Sequence, residues 1–138
     1  MLAGAAAVLA AEGLDFVLLN LNSHEVTGGC AITRVIDGDT VALRCKTTGK
    51  TRGRLRGIDA PELFSASCIG EAIAAQRAKW ALQRLLWSGD KNRIIAHGVD
   101  KYDRQLVTIL VDGRSVAESL IASGHARRYT GGERGGWC

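Results

Sequence analysis

The stretch TRVIDGDTVALRC, residues 33–45, constrains the fold more than any other part of the chain. Ile32, Arg34, Ile36 and Val35, Val41, Leu43 give the β-branched, half-alternating texture of a half-buried ribbon. Asp37-Gly38-Asp39-Thr40 interrupts it, and Asp-Gly between apolar runs is a strong hairpin signal. Turn chemistry accounts for Asp37 and Gly38. It does not require Asp39, a second carboxylate beside the apolar core.

The hairpin opens a strand-rich half. Residues 30 to about 60 read as three strands, around 30–36, 40–46 and RGRLRGI at 52–58, with KTTGKT turning the chain between the last two. Residues 61–69 are loop, and a helix follows from about Gly70 to Trp87, with Gly89 as its stop. NRIIAHG and RQLVTILV are further strands, Asp112-Gly113 is a turn, and SVAESLIAS is a short helix closed by Gly124. HARRY at 125–129 is a last extended piece. Strands, an inserted helix, then more strands predict a mainly β (α+β) domain, a small antiparallel barrel with helices attached. In the long helix Ala74, Ala78, Ala81, Leu82 and Leu85 should face the barrel, while Ile73, Trp80 and Trp87 recur every seven residues on the opposite side. Such a stripe calls for a cover, either the apolar N-terminal segment packed across it or partial shielding by Arg77 and Arg84.

With 138 residues, 46% of them hydrophobic, the chain holds one domain with a true core. All 18 basic residues lie from Arg34 onward, and the formal net charge of +4 suits an anionic partner. Residues 1–29 carry only Glu12, Asp15 and Glu25 as charges and read as an apolar leader, either signal-like or a packing helix, before a domain at 30–138. The two acids in its apolar part speak against a membrane span. Cys30, Cys45, Cys68 and Cys138 allow three full pairings, and their spacing does not suit zinc. A terminal cysteine after GGERGGW makes sense as a tether, which favours an exported, oxidising location; four reduced thiols in a cytoplasmic protein is the alternative.

Three segments combine charges in a way that a plain core does not require: VIDGDTV (35–41), RLRGIDAPE (54–62) and DKYDRQLV (100–107). Asp39 and Asp59 can offer oxygen to a hard cation, as Ca²⁺ prefers. Arg54 and Arg104 can clamp a phosphate bidentately. Glu62 can position or deprotonate a water. A metal, paired arginines and a carboxylate are what phosphodiester hydrolysis needs, because negative charge grows on the phosphorus as water attacks.

Those segments, with GEA at 70–72 opening the helix and VAESLIASGHA at 116–126, resemble the staphylococcal nuclease (thermonuclease) family over about residues 30–130. The resemblance implies a five-stranded OB-type β-barrel with an inserted long helix and a short second helix. It also implies Ca²⁺-dependent hydrolysis of DNA and RNA by a monomer. Carried over by position, Asp39 and Asp59 match the calcium carboxylates and Ala60 the backbone carbonyl that joins them. Arg54, Glu62 and Arg104 match the catalytic residues. Lys101 and Tyr102 match the nucleotide pocket, and Tyr129 a base-contacting tyrosine. In the family geometry Cys68 and Cys138 flank the site, which makes them the expected pair. Asp103 departs from the family's glycine, but Asp tolerates the left-handed backbone such a loop needs. The alternative to an enzyme is a catalytically inactive OB module that binds nucleic acid or protein. Such a module has no need for two aspartates together with the glutamate.

Overall fold

The computed structural model describes residues 29–138. Strands β1 (Cys30–Asp37) and β2 (Thr40–Cys45) form the expected antiparallel hairpin. Asp37 pairs with Thr40, so Gly38 and Asp39 are the whole loop. Two irregularities in β1, between Ile32 and Arg34 and between Val35 and Asp37, re-aim its side chains and add twist. Strand β3 (Gly49–Leu55) starts earlier than expected, because Cys45 pairs with Gly49 and Arg44 with Lys50 across a narrow turn. The chain continues through β4 (Ile58–Asp59), α1 (Ile69–Trp87), β5 (Asn92–Val99), β6 (Gln105–Val111), β7 (Arg114–Ser115), α2 (Val116–Ala122) and β8 (Arg127–Arg128).

The main sheet runs β1-β2-β3-β6-β5, with β7 on β6, and β4 pairs separately with β8. All pairings are antiparallel except β3 with β6, so the sheet is mixed rather than purely antiparallel. The expected closed barrel is corrected too. Among the described residues the ladders leave β1 and β5 as the two ends of the order. Helix α1 packs against β1 at one of those ends, and the two-residue β4 is drawn off to β8 instead of extending β3.

The core gathers Ile32, Val35, Val41, Leu43, Leu55, Ile94, Val107 and Ile109 from the sheet, Leu82 and Leu86 from α1, and Val116 and Leu120 from α2. Each such aliphatic side chain contributes about 1.5–3 kcal/mol by leaving water. On the inward face of α1, Ala78, Ala81 and Leu82 are buried as expected, and the face differs only at its edge. Ala75 and Leu86 are buried, whereas Ala74 and Leu85 are only partly so. Glu71 is turned inward on the same helix and accepts from the amides of Glu62 and Ser67 in the preceding loop. Ile73 and Trp80 are exposed and Trp87 packs partly on the core. The N-terminal segment expected to cover them lies outside the described residues.

Of the three possible cysteine pairings, the structure holds Cys30–Cys45 and Cys68–Cys138. The first joins residues directly opposite on β1 and β2. The second fastens the C-terminus to the start of α1, where Cys68 also caps the helix by accepting from the Glu71 amide. No helix among the described residues is long and apolar enough to cross a membrane.

Candidate active site

The site is assembled from the β1–β2 loop, the end of β3, the β4 region, the β5–β6 loop and the C-terminal tail. A cleft of about 840 Å³ is lined by Asp39, Arg54, Glu62, Lys101, Tyr102, Arg104 and Tyr129, seven of the nine residues expected from sequence. Asp59 and Ala60 stand beside it, Ala60 joined to it by hydrogen bonds and Asp59 by an ion pair with Arg134. The Ala60 amide donates to Asp39 Oδ2 at 3.1 Å, which ties the first motif to the second. Thr40 donates its hydroxyl to Asp39 Oδ1 at 2.9 Å. Asp39 and Asp59 are both buried, at 6% and 3% exposure, which is unusual for carboxylates without close cations.

Guanidiniums supply those cations. Arg54 lies 3.6 Å from Asp39 Oδ2, and its Nη1 donates to the carbonyls of Leu55 and Ile58, which fix its direction. Arg104 is aimed by Asp100, whose Oδ2 accepts from Arg104 Nε at 2.8 Å and whose Oδ1 accepts from the amides of Tyr102 and Arg104. This grip leaves the Nη groups of Arg104 without a carboxylate partner among the described residues. Burial works against ionisation of Asp100, but these hydrogen bonds outweigh it and hold its carboxyl below the usual range. The loop closes because Asp103 adopts φ 63°, the left-handed conformation its side chain was expected to tolerate. Lys101 and Arg104 lie 5.2 and 5.3 Å from the ring centre of Tyr102, which is 60% exposed. Tyr129 is anchored through its amide to the Gly57 carbonyl, and its hydroxyl donates to the Gly132 carbonyl at 2.6 Å.

Several residues of the site escaped the sequence reading. Asp37, assigned there to the turn alone, also lines the cleft. Burial, and next the charge of Asp39, raise its carboxyl to about 7. Glu71 accepts from the amides of Glu62 and Ser67, at 3.1 and 2.8 Å, and so fixes the loop that carries Glu62. The tail, read only as a tether, enters the site. Arg134 forms ion pairs with Asp59 and with Glu62 Oε1 and donates to the Ala60 carbonyl. Trp137 donates its indole N–H to Asp59 Oδ2 at 3.1 Å. The signal for Glu71 was its place in GEA at the helix start; for Arg134 and Trp137 no local pattern marks a partner 70 or more residues away.

The fold and the cleft define a small β-rich protein that concentrates buried carboxylates and aimed guanidiniums where an anionic substrate can enter. A family model for the staphylococcal nuclease homologues matches residues 52–134, and the chain belongs to this family. It is 29% identical over 117 residues to a protein of Haemophilus influenzae named an uncharacterized endonuclease, covering 84% of this chain and 60% of that one. It is 29% identical over 105 residues to Endonuclease YhcR of Bacillus subtilis, covering 71% of this chain and 9% of that one. The match thus spans less than two thirds of either relative.

Proposed function

We propose that the protein is a calcium-dependent nuclease that hydrolyses phosphodiester bonds in both DNA and RNA. The observation that carries this reading is one cleft that unites Asp39, Arg54, Glu62 and Arg104 from four separate segments. Membership of the nuclease family and the endonuclease names of the relatives support it. A substrate track supports it as well. Lys50, Arg52 and Arg54 alternate along one face of β3, and Arg44 and Arg34 stand beside them on β2 and β1. Polyanions are attracted by such a face, and the attraction carries no sequence preference.

The donor set suits a hard cation. Asp39, Asp59 and the Ala60 carbonyl offer only oxygen, and Asp59 Oδ1 is buried with no hydrogen bond, its one partner being the ionic contact with Arg134. Among the described residues no three acidic, histidine or cysteine side chains are grouped to hold a metal ion, so water and substrate oxygen would supply most of a shell of about six to eight. Calcium held there would neutralise negative charge on the scissile phosphate. Arg54 and Arg104 share that work from the protein side, through donors already aimed before charge develops. Glu62 orients the attacking water and takes its proton. The new oxygen–phosphorus bond forms as the bond to the leaving sugar oxygen breaks, and that oxygen takes up a proton from solvent water. Lys101, Tyr102 and Tyr129 bound the space for the adjoining nucleotide. The two disulfides support an oxidising, exported setting for a protein that acts as a monomer.

Cleavage of single-stranded DNA and of RNA in calcium, repeated in EDTA, tests the reading. Activity should vanish in EDTA. Glu62→Gln should lose most of its rate while binding nucleic acid, and Arg104→Ala should lose about 10²-fold or more. Binding with no cleavage under any condition would favour the inactive OB module instead.

A further inference from the structure

The C-terminal tail occupies the oxygens that the calcium reading assigns to the metal. Arg134 contacts Asp59 Oδ1, the Ala60 carbonyl at 3.3 Å and Glu62 Oε1 at 2.8 Å. Trp137 takes the other oxygen of Asp59. Both carboxylate oxygens of Asp59, the backbone carbonyl beside it and the residue proposed as base therefore all face the tail.

The tail is held there by more than these contacts. Gly131 and Gly132 adopt φ 109° and 84°, a left-handed pair that no two ordinary side chains would share, and they turn the chain back toward the cleft. Arg127 stacks 3.7 Å from the Trp137 ring centre and donates to the Gly136 carbonyl at 2.7 Å. The Cys68–Cys138 disulfide then ties the last residue to the start of α1, so the tail cannot drift away when its contacts break. Burial disfavours the Arg134 charge, but Glu62 and then Asp59 more than offset this and hold its pKa above the ordinary value. The guanidinium is a permanent cation in a site that collects carboxylates.

We propose that Arg134 is a built-in cation that closes the metal site, and that calcium binds only by displacing it. The proposal rests on the calcium reading above. A guanidinium and a divalent ion cannot share Asp59 and the Ala60 carbonyl, since the oxygens that would bind one already face the other and the two cations repel. Displacement also releases Glu62 Oε1, which otherwise accepts from Arg134. The docked tail thus lowers apparent calcium affinity by the factor by which the open state is scarce. The disulfide keeps the effective concentration of the guanidinium high and strengthens the competition.

Calorimetric titration of calcium into the disulfide-bonded protein of residues 1–138, without nucleic acid, tests this. Arg134→Gln should bind calcium at least about fivefold tighter than wild type, the lower end of ordinary coupling between sites. Cys138→Ser, which leaves Cys68 in place to cap α1, should shift affinity in the same direction. Arg134→Gln should also melt at a lower temperature than wild type in EDTA and gain more from calcium, because uncompensated carboxylates are then left to the metal. A folded Arg134→Gln protein that binds calcium no tighter than wild type overturns the proposal. If that variant does not fold, unchanged affinity in Cys138→Ser overturns it. Calcium binding to wild type that Asp59→Asn abolishes, with Arg134→Gln equal to wild type, sinks this inference alone. No binding to any of these proteins sinks the calcium reading with it.

Discussion

Gly38→Ala should be among the most damaging single-methyl changes in the protein. Gly38 is not in a left-handed conformation, so the turn itself does not demand glycine. The demand is spatial. A Cβ built at this position falls 2.6 Å from the Ala78 Cβ on α1 and 3.0 Å from the Ala60 Cβ. Carbon atoms in good contact sit about 3.5–4.0 Å apart, so the first of these contacts is roughly 1 Å too short. Neither neighbour can swing aside, because an alanine Cβ is fixed to its backbone. The β1–β2 loop must lift from α1 instead, and forced methyl insertions of this kind cost about 1–3 kcal/mol. For a domain of this size that is a fall in Tm of roughly 4–12 °C, at about 4 °C per kcal/mol. The same lift carries Asp39 away from the Ala60 amide, whose hydrogen bond is 3.1 Å. A displacement of about 1 Å in a catalytic constellation can cost about 10²-fold in rate. Urea unfolding and a nuclease assay on Gly38→Ala, Ala78→Gly and the double variant measure both effects. The double variant should recover part of the loss in each, despite the roughly 1 kcal/mol that glycine costs in a helix. If Gly38→Ala unfolds within about 0.5 kcal/mol of wild type, as an ordinary surface change would, the steric account is wrong.

Other consequences follow from the same contacts. Glu71→Ala removes the acceptor for the Glu62 and Ser67 amides, so cleavage should slow by roughly tenfold or more while calcium affinity holds, with faster hydrogen exchange at those two amides. Replacing Cys30 and Cys45 by serine opens a loop with a sequence separation of 15 and should cost about 3 kcal/mol in denaturant unfolding; an unchanged midpoint would refute this. Asp103→Gly should leave stability near wild type and tighten phosphate binding by removing a carboxylate beside Arg104, whereas Asp103→Val should lose about 1–2 kcal/mol at its φ of 63°. Because folding depresses the Asp100 carboxyl below its ordinary 3.8, the stability it adds is complete above that value and drains away as pH falls through the lower folded value. Unfolding midpoints from about pH 6 down to pH 3 should therefore fall less steeply in Asp100→Asn than in wild type.

What the sequence made legible is what short-range chemistry decides. The hairpin at Asp37–Thr40, the strands at 92–99 and 105–111, the stop at Gly124 with φ 79° and the left-handed Asp103 all express turn preference or strand alternation. Error entered where a distant neighbour chose between local options. In α1 the expected Ala78, Ala81 and Leu82 are buried, but Ala75 and Leu86 are buried in place of Ala74 and Leu85, because a helix rich in alanine offers nearly equal apolar faces. Barrel closure was expected from the order of strands and helices and from the family resemblance, but order does not say which edges meet, and here β4 leaves for β8. Gly38 looked like turn chemistry, yet its reason is the closeness of Ala60 and Ala78, 22 and 40 residues further along the chain.

The candidate site divides along the same line. Asp39, Arg54, Glu62 and Arg104, which share one cleft, could be singled out because hard oxygen donors and guanidiniums recur in recognisable order. Arg134 and Trp137 were not, because GGERGGWC carries no motif of its own. Their meaning depends on where the Cys68–Cys138 bridge and the turn at Gly131 and Gly132 deliver them. The glycines, the lone arginine and the terminal cysteine are each unremarkable apart. Together they specify one reach and one landing point, and that point is the Asp59 carboxylate. A tail whose only duty was to fasten Cys138 would not need its arginine among the acids of the cleft. It would be equally well served by a neutral residue, and Arg134→Gln distinguishes the two cases by what it does to calcium.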